Sequence, residues 1–147
     1  KNIKKLVQEL DLNSQVMFFK DISNDLKNSL LAKSNIFVMP TIINKTSVEG
    51  FGISYIEAAK FSVPSISGVD GGVLDAVVNN ETGWNVDTLN EKELENVIFE
   101  AINNQNKRDR FGKNARQLFI KKFSSDKAFR KFMTAITNSS NLKKTNH

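Results

Sequence analysis

The chain has 147 residues, a length typical of one domain, and its 39% hydrophobic and 25% charged residues are ordinary for a globular protein. It contains no cysteine, and its single histidine is the last residue, His147. Within this chain, the sequence therefore excludes disulfide scaffolds, zinc–thiolate centres, cysteine nucleophiles, Ser-His-Asp catalysis and histidine-based metal sites. No apolar run approaches the length of a membrane span, and no secretory leader is predicted.

Positive charge is concentrated at one end of the chain. The net charge of +5 combines 12 Lys/Arg and 2 Asp/Glu in residues 107–147 with 9 Lys/Arg and 14 Asp/Glu in residues 1–106. A basic end of this kind indicates either a solvated helical surface or contact with an anionic membrane surface. Nucleic acid is not predicted as a partner, because the sequence has no nucleic-acid motif and its aromatic residues have the spacing of a core.

In chain order, short apolar runs alternate with stretches of helical periodicity. The predicted strands are residues 16–19, 36–39, 64–67 and 83–86. The predicted helices cover residues 3–10, 23–31, 52–61, 73–78, 90–102, 111–119 and 128–136. Ser23 and Asn90 are predicted as N-caps, and Glu93 gives the second helix start the pattern of a capping box. Residues 1–137 are expected to form one domain, and residues 138–147 a polar tail.

Alternating strands and helices predict an α/β fold, a Rossmann-like parallel sheet flanked by helices. The strands are continuously apolar, as expected when helices cover both faces of the sheet. In such sheets, ligands bind beyond the carboxyl ends of the strands. Candidate functional residues are therefore those that follow each strand.

The loop after the second predicted strand has the chemistry of a nucleotide-sugar site. It ends in Glu49, Gly50, Phe51 and Gly52 and runs into a helix that carries Glu57. The first amides of that helix, those of Gly52, Ile53 and Ser54, are expected to bind an anion with the help of the helix dipole. The carboxylates of Glu49 and Glu57 are unsuited to phosphate but accept hydrogen bonds from sugar or ribose hydroxyls.

An ordered series of residues gives this loop a family resemblance. The series is Pro40, Glu49-Gly50-Phe51-Gly52, Glu57-Ala58-Ala59, Val63-Pro64, Gly71-Gly72 and Thr82-Gly83. It resembles the C-terminal domain of the retaining glycosyltransferases of family 4, which have the GT-B fold. The resemblance covers roughly residues 3–125.

The resemblance implies a role for each candidate residue. Glu57 would bind the ribose hydroxyls of a nucleotide-sugar donor, and Glu49, the candidate catalytic residue, would contact the donor sugar. The backbone at Phe51 and Gly52 would face the sugar, and the amides of Ile53 and Ser54 would face the diphosphate. The nucleoside-diphosphate sugar is a substrate, and neither a metal ion nor a further cofactor is expected.

Other interpretations of several residues remain open. Phe51 and Ile53 are equally compatible with a place in the core, and Trp84 is expected to pack in the core rather than stack on a ligand. Lys45 either reaches a phosphate or is a solvated loop residue. Lys20 occupies a position where the family usually has glycine. Its side chain would narrow the pocket for the base or change which base is bound.

The family domain begins with two strands and a helix that have no counterpart before residue 3. The resemblance places these strands between the 16–19 strand and the 36–39 strand, so the sheet would have open edges. We expect those edges to meet across an oligomer, or the sheet to close in another order. The family's N-terminal domain, which binds the acceptor, also has no counterpart, so this chain alone is expected to be inactive.

The resemblance therefore implies the donor-binding half of a bacterial glycosyltransferase that makes cell-surface polysaccharide or glycolipid. Such an enzyme would be cytoplasmic, with a peripheral position at the inner face of the membrane as one option. The alternative is a non-catalytic module, derived from the same domain, that binds a nucleotide or a partner chain.

Overall fold

The computed structural model describes residues 2–41, 52–69 and 72–123. In these ranges the helices are α1 (Ile3–Glu9), α2 (Asn24–Lys33), α3 (Ile53–Lys60), α4 (Val73–Ala76), α5 (Glu91–Asn103) and α6 (Gln105–Phe123). The strands are β1 (Phe37–Met39), β2 (Ser65–Ser67) and β3 (Gly83–Asn85). None of these helices is both long enough and apolar enough to cross a membrane. The predicted helix 128–136 and the predicted tail lie outside the described residues.

The three strands form one parallel sheet in the order β1-β2-β3. Val38 lies opposite Ile66, which in turn lies opposite Trp84. Every residue of the central strand β2 is buried. The α/β fold predicted from the alternating pattern is therefore confirmed, and the carboxyl ends of all three strands lie at the same edge of the sheet.

Helices cover the sheet through two main apolar clusters. One joins α3 and α4 to β1, and its buried members are Tyr55, Ile56, Val73, Ala76 and Val77. The other joins β2 and β3 to α5 and α6, and its buried members are Ile66, Trp84, Val86, Ala101 and Phe111. Trp84 is only 2% exposed, and its ring contacts Phe111 with the centroids 4.8 Å apart. Its predicted place in the core is thus confirmed.

Local capping signals set the helix ends as predicted. The side chain of Ser23 accepts a hydrogen bond from the amide of Leu26 at 3.3 Å, and Asn90 Oδ1 accepts one from the amide of Glu93 at 3.1 Å. Such bonds satisfy backbone donors that have no partner inside the helix. Both helix starts could be predicted from the sequence because each cap side chain bonds to an amide only three residues further along the chain.

The predicted strand at residues 16–19 is wrong. The segment forms no strand, and Met17 is 77% exposed while Phe18 and Phe19 are each 49% exposed. Apolar residues favour a strand only where a neighbouring strand supplies hydrogen bonds and packing. No strand in the described ranges pairs with this segment, so the sheet does not close in another order through it.

The outer edge of β1 has no strand partner among the described residues. The side chain of Val38 on this strand is 46% exposed. In α1 Val7 is buried, whereas Ile3 and the C-cap residue Leu10, both on the predicted apolar face, are exposed. Association of copies through the open edge therefore stays a prediction.

We expect the isolated chain to self-associate through β1, because an exposed strand edge is a template for pairing. Substituting Val38→Lys should shift the population toward monomer, since a charged side chain disfavours edge-to-edge pairing. Size-exclusion chromatography with light scattering would measure the change, with Asn28→Lys on α2 as the control. A folded wild-type chain that is monomeric at all concentrations would contradict this prediction.

A charged contact helps to hold α5 and α6 against β3. Lys107 Nζ donates to Glu100 Oε1 at 2.6 Å, and Trp84 Nε1–H donates to Glu100 Oε2 at 2.9 Å. The hydrogen bond from Lys107, followed by that from Trp84, lowers the pKa of Glu100 below its ordinary value of 4.5, against an opposing effect of burial. A carboxyl group with a lowered pKa in the folded state stabilises that state above its unfolded pKa.

The stabilisation from Glu100 should therefore be complete above its ordinary pKa and should be lost as the pH falls through the lowered value. We expect Glu100→Gln to lower the melting temperature at neutral pH, with the difference from wild type shrinking in acid. Thermal unfolding between roughly pH 3 and pH 7 would measure this. Glu95→Gln, which alters an exposed pair within α5, is the control. A difference that does not change with pH would contradict the assignment.

Candidate functional site

The candidate site begins where the chain enters α3. Gly52 is the N-cap residue, with φ 57° and ψ 48°, and as a glycine it supplies no side-chain cap to the helix. The amide of Tyr55 donates to the carbonyl of Gly52 at 2.9 Å. The amides of Ile53 and Ser54 precede it and have no acceptor within the helix. The first turn of α3 thus presents donors and the positive end of the helix dipole, as an anion site requires.

Tyr55 fixes this first turn to the end of β1. Its ring is buried and contacts the edge of Phe37, with the ring centroids 5.7 Å apart. Its hydroxyl donates to the main-chain carbonyl of Met39, the last residue of β1. The amides of the first turn are therefore held at the carboxyl edge of the sheet, where ligands of parallel sheets bind.

Asn85 connects the carboxyl ends of the other two strands. Its Nδ2 donates to Ser67 Oγ at 2.7 Å and to the carbonyl of Val77 at 3.2 Å. Gly68 is the residue after β2 and lies against the backbone of Thr41. A Cβ added to Gly68 would be 2.5 Å from the carbonyl oxygen of Thr41. This edge is therefore a fixed framework, in which loops that are distant in sequence lie side by side.

Glu57 lies on the second turn of α3 and is paired with a lysine of another helix. Its side chain is 34% exposed, and its Oε1 accepts a hydrogen bond from Lys27 Nζ on α2 at 2.7 Å. Glu57 is thus neither buried nor fully solvated. Its carboxylate has more acceptor positions than one ammonium group occupies.

The structure brings four of the predicted site residues together on α3 or its cap. Gly52 is buried, and Ile53, Ser54 and Glu57 are half-buried. Ile53 is consequently only partly in the core. Glu49, Phe51, Lys45 and Gly71 lie outside the described residues, so their predicted roles stay predictions.

The predicted departure at Lys20 falls on an exposed loop. Lys20 Nζ lies 3.9 Å from Asp21 Oδ2, and both side chains are largely exposed. The backbone of Asp21 has φ 53°, in the left-handed region that glycine, asparagine and aspartate tolerate best. The left-handed backbone conformation, which glycine adopts freely, is therefore found at Asp21, one residue after Lys20.

Sequence reasoning missed Lys27 and Tyr55. Lys27 precedes the buried Leu31 by four residues, a spacing that places both on one face of α2. Tyr55 lies between two predicted site residues and is the only tyrosine in the chain. Both signals were present, but neither indicates which partner the side chain meets across the fold.

No cluster of three or more potential metal ligands occurs in residues 2–41, 52–69 and 72–123. Part of the candidate site lies outside these ranges, so the expectation that no metal is needed stays a prediction.

Comparison with known proteins agrees with the fold. A family model described as glycosyl transferases group 1 matches residues 1–118. The capsular polysaccharide biosynthesis glycosyltransferase CapM of Staphylococcus aureus is 36% identical over 116 residues, which are 79% of this chain and 29% of CapM. The chain therefore spans less than a third of the length of this relative.

Solved structures share the fold. Anabaena Alr3699/HepE, crystallised in complex with UDP-glucose, superimposes with a TM-score of 0.72 and 20% identity, over 92% of this chain and 36% of HepE. The C-terminal domain of LpcC from Francisella tularensis, a group 1 family protein, gives a TM-score of 0.69 and 21% identity, over 84% of this chain and 62% of that domain.

We expect Gly52→Ala to lower the melting temperature and to disturb the start of α3. A left-handed backbone costs a non-glycine residue about 1–2 kcal/mol, and the added Cβ would overlap the ring of Tyr55. Thermal unfolding would measure the loss, with Ser54→Ala in the same turn as the control. Equal melting temperatures for the two variants would show that Gly52 is not required for this conformation.

Proposed function

Because the chain belongs to the group 1 glycosyl transferases, we propose that it binds the nucleoside-diphosphate sugar donor of a sugar-transfer enzyme. The observation that carries this proposal is the start of α3 at the carboxyl edge of the sheet, followed one turn later by Glu57. This arrangement offers backbone donors for a diphosphate and a carboxylate for hydroxyl groups.

The diphosphate is proposed to bind at the amides of Ile53 and Ser54. These groups carry the positive end of the helix dipole and are held in place through the contact between Tyr55 and β1. Fixed donors of this kind stabilise negative charge without reorganisation. The same groups would therefore favour departure of the nucleoside diphosphate when the bond to the sugar breaks.

The ribose is proposed to bind at Glu57. Glu49, as in the family resemblance, would contact the donor sugar and the reacting carbon, with transfer proceeding with retention of configuration. Phe51 and Gly52 would lie against the sugar through their backbone. The solved complex of HepE with UDP-glucose supports a nucleotide sugar as the ligand of this fold.

CapM is named as a glycosyltransferase of capsular polysaccharide biosynthesis. This name supports the proposal that the enzyme makes a cell-surface polysaccharide or glycolipid. The acceptor would be bound by a further domain of the GT-B fold, and on this proposal residues 1–147 alone transfer no sugar. The exposed cations of α6, which include Arg110, Lys113 and Lys121, would suit work beside an anionic membrane at the cytoplasmic side.

Titration with UDP, GDP and their common sugar conjugates would test the site. We expect one nucleotide to raise the melting temperature of the wild-type chain saturably, since a ligand that binds only the folded state stabilises it. Glu57→Gln should weaken that binding about tenfold or more, because it removes a charged hydrogen-bond acceptor. Thermal shift is preferable to tryptophan fluorescence, since Trp84 is buried in the core.

Glu95→Gln is the matched control, because it removes a carboxylate from an exposed position on α5. It should leave the nucleotide affinity unchanged. A folded wild-type chain that shows no saturable shift would contradict a donor site on this chain. Equal affinities for wild type and Glu57→Gln would contradict the assignment of Glu57 to the ribose.

A further inference from the structure

The ion pair between Lys27 and Glu57 joins α2 to α3, the helix whose first turn forms the candidate site. The residues lie 30 positions apart in sequence, and their Nζ and Oε1 atoms are 2.7 Å apart. Their side chains are 37% and 34% exposed, so the pair is partly shielded from solvent. Among the described ion pairs, only this one and that of Lys107 with Glu100 connect different helices.

Apolar packing between α2 and α3 fixes the position of the ion pair. Leu31 of α2 forms a buried cluster with Ala58 and Val63, at and beyond the end of α3. Leu31 follows Lys27 by one helical turn, and Ala58 follows Glu57 directly. Because α2 and α3 are packed together at this point, the ammonium group of Lys27 and the carboxylate of Glu57 are held close to each other.

Within residues 2–41, 52–69 and 72–123, only one carboxylate oxygen of Glu57 is hydrogen-bonded, which leaves the other for a ligand. A carboxylate has about four acceptor positions, and the contact with Lys27 is to Oε1 alone. A glutamate side chain has several rotamers in solution, and an ion pair at one oxygen selects those in which the carboxylate faces α2. It also offsets a negative charge that would otherwise repel a diphosphate on the same helix.

We propose that Lys27 is the positioning residue for ribose recognition by Glu57. It holds the carboxylate in the orientation that accepts hydrogen bonds from the ribose hydroxyls, and it neutralises that carboxylate toward the diphosphate. This inference rests on the proposed function, because it requires a nucleotide at α3. Lys27 itself contacts the carboxylate rather than the reacting atoms.

Discrimination between ribose and deoxyribose nucleotides is the readout that separates positioning from stability. The full chain would be titrated with UDP and GDP and with their 2′,3′-dideoxy analogues, and binding measured by thermal shift and calorimetry. We expect the wild-type chain to prefer the ribose form of its nucleotide by about tenfold, the value of a charged hydrogen bond. Glu57→Gln should abolish most of that preference.

Lys27→Met should reduce the preference to about threefold and weaken binding of the ribose nucleotide, because the carboxylate is then free to rotate. Lys27→Arg should restore most of it, since a guanidinium also binds a carboxylate. Lys33→Met makes the same change at an exposed position of the same helix. This control should retain the wild-type preference.

The outcomes separate the inference from the function on which it rests. If Lys27→Met lowers the melting temperature but keeps the wild-type preference for ribose, the ion pair is purely structural and the inference is overturned, while the donor site stands. If the wild-type chain binds no nucleotide, the proposed donor site fails and the inference fails with it. If it binds ribose and dideoxyribose forms equally, the donor site stands, but the assignment of Glu57 to the ribose fails and the inference is overturned.

Discussion

The candidate site depends on the hydrogen bond that the hydroxyl of Tyr55 donates to the carbonyl of Met39, the last residue of β1. This bond connects the first turn of α3 to the end of a strand that lies 16 residues earlier in the chain. The ring of Tyr55 is buried against Phe37, so the contact is rigid as well as polar. Gly52 makes it possible, because its left-handed backbone turns the chain into the helix and leaves room for the ring.

Two paired carboxylates illustrate how surroundings assign different tasks to the same chemical group. Glu100 has one oxygen bonded to Lys107 and the other to Trp84, so both oxygens are used to hold α5 and α6 against the sheet. Glu57 has one oxygen bonded to Lys27 and follows by one turn the start of α3, which lies at the edge where parallel sheets bind ligands. A carboxylate that bonds through both oxygens within the fold acts in stability, whereas one that bonds through a single oxygen among the described residues keeps the other for a ligand.

Helix starts and strand segments differed in how well the sequence predicted them. Ser23 and Asn90 cap helices through bonds that span three residues, so the signal and the structure are equally local. Residues 16–19 are as apolar as residues 36–39, yet only the latter include a strand. The difference is that β1 has β2 beside it, and a strand is completed by its neighbour rather than by its own residues.

The sequence by itself determined the α/β class, the parallel arrangement and the place of Gly52, Ile53, Ser54 and Glu57 on α3 or its cap, while their part in binding stays a proposal. These follow from periodicity, capping and the glycine before the helix, all of which act over short distances along the chain. Only the tertiary structure decided that Lys27 meets Glu57, that Tyr55 reaches Met39, and that Trp84 is held by Glu100. Each of these contacts joins residues 16 or more positions apart, and side-chain partners at that distance are set by the packing of whole helices and strands.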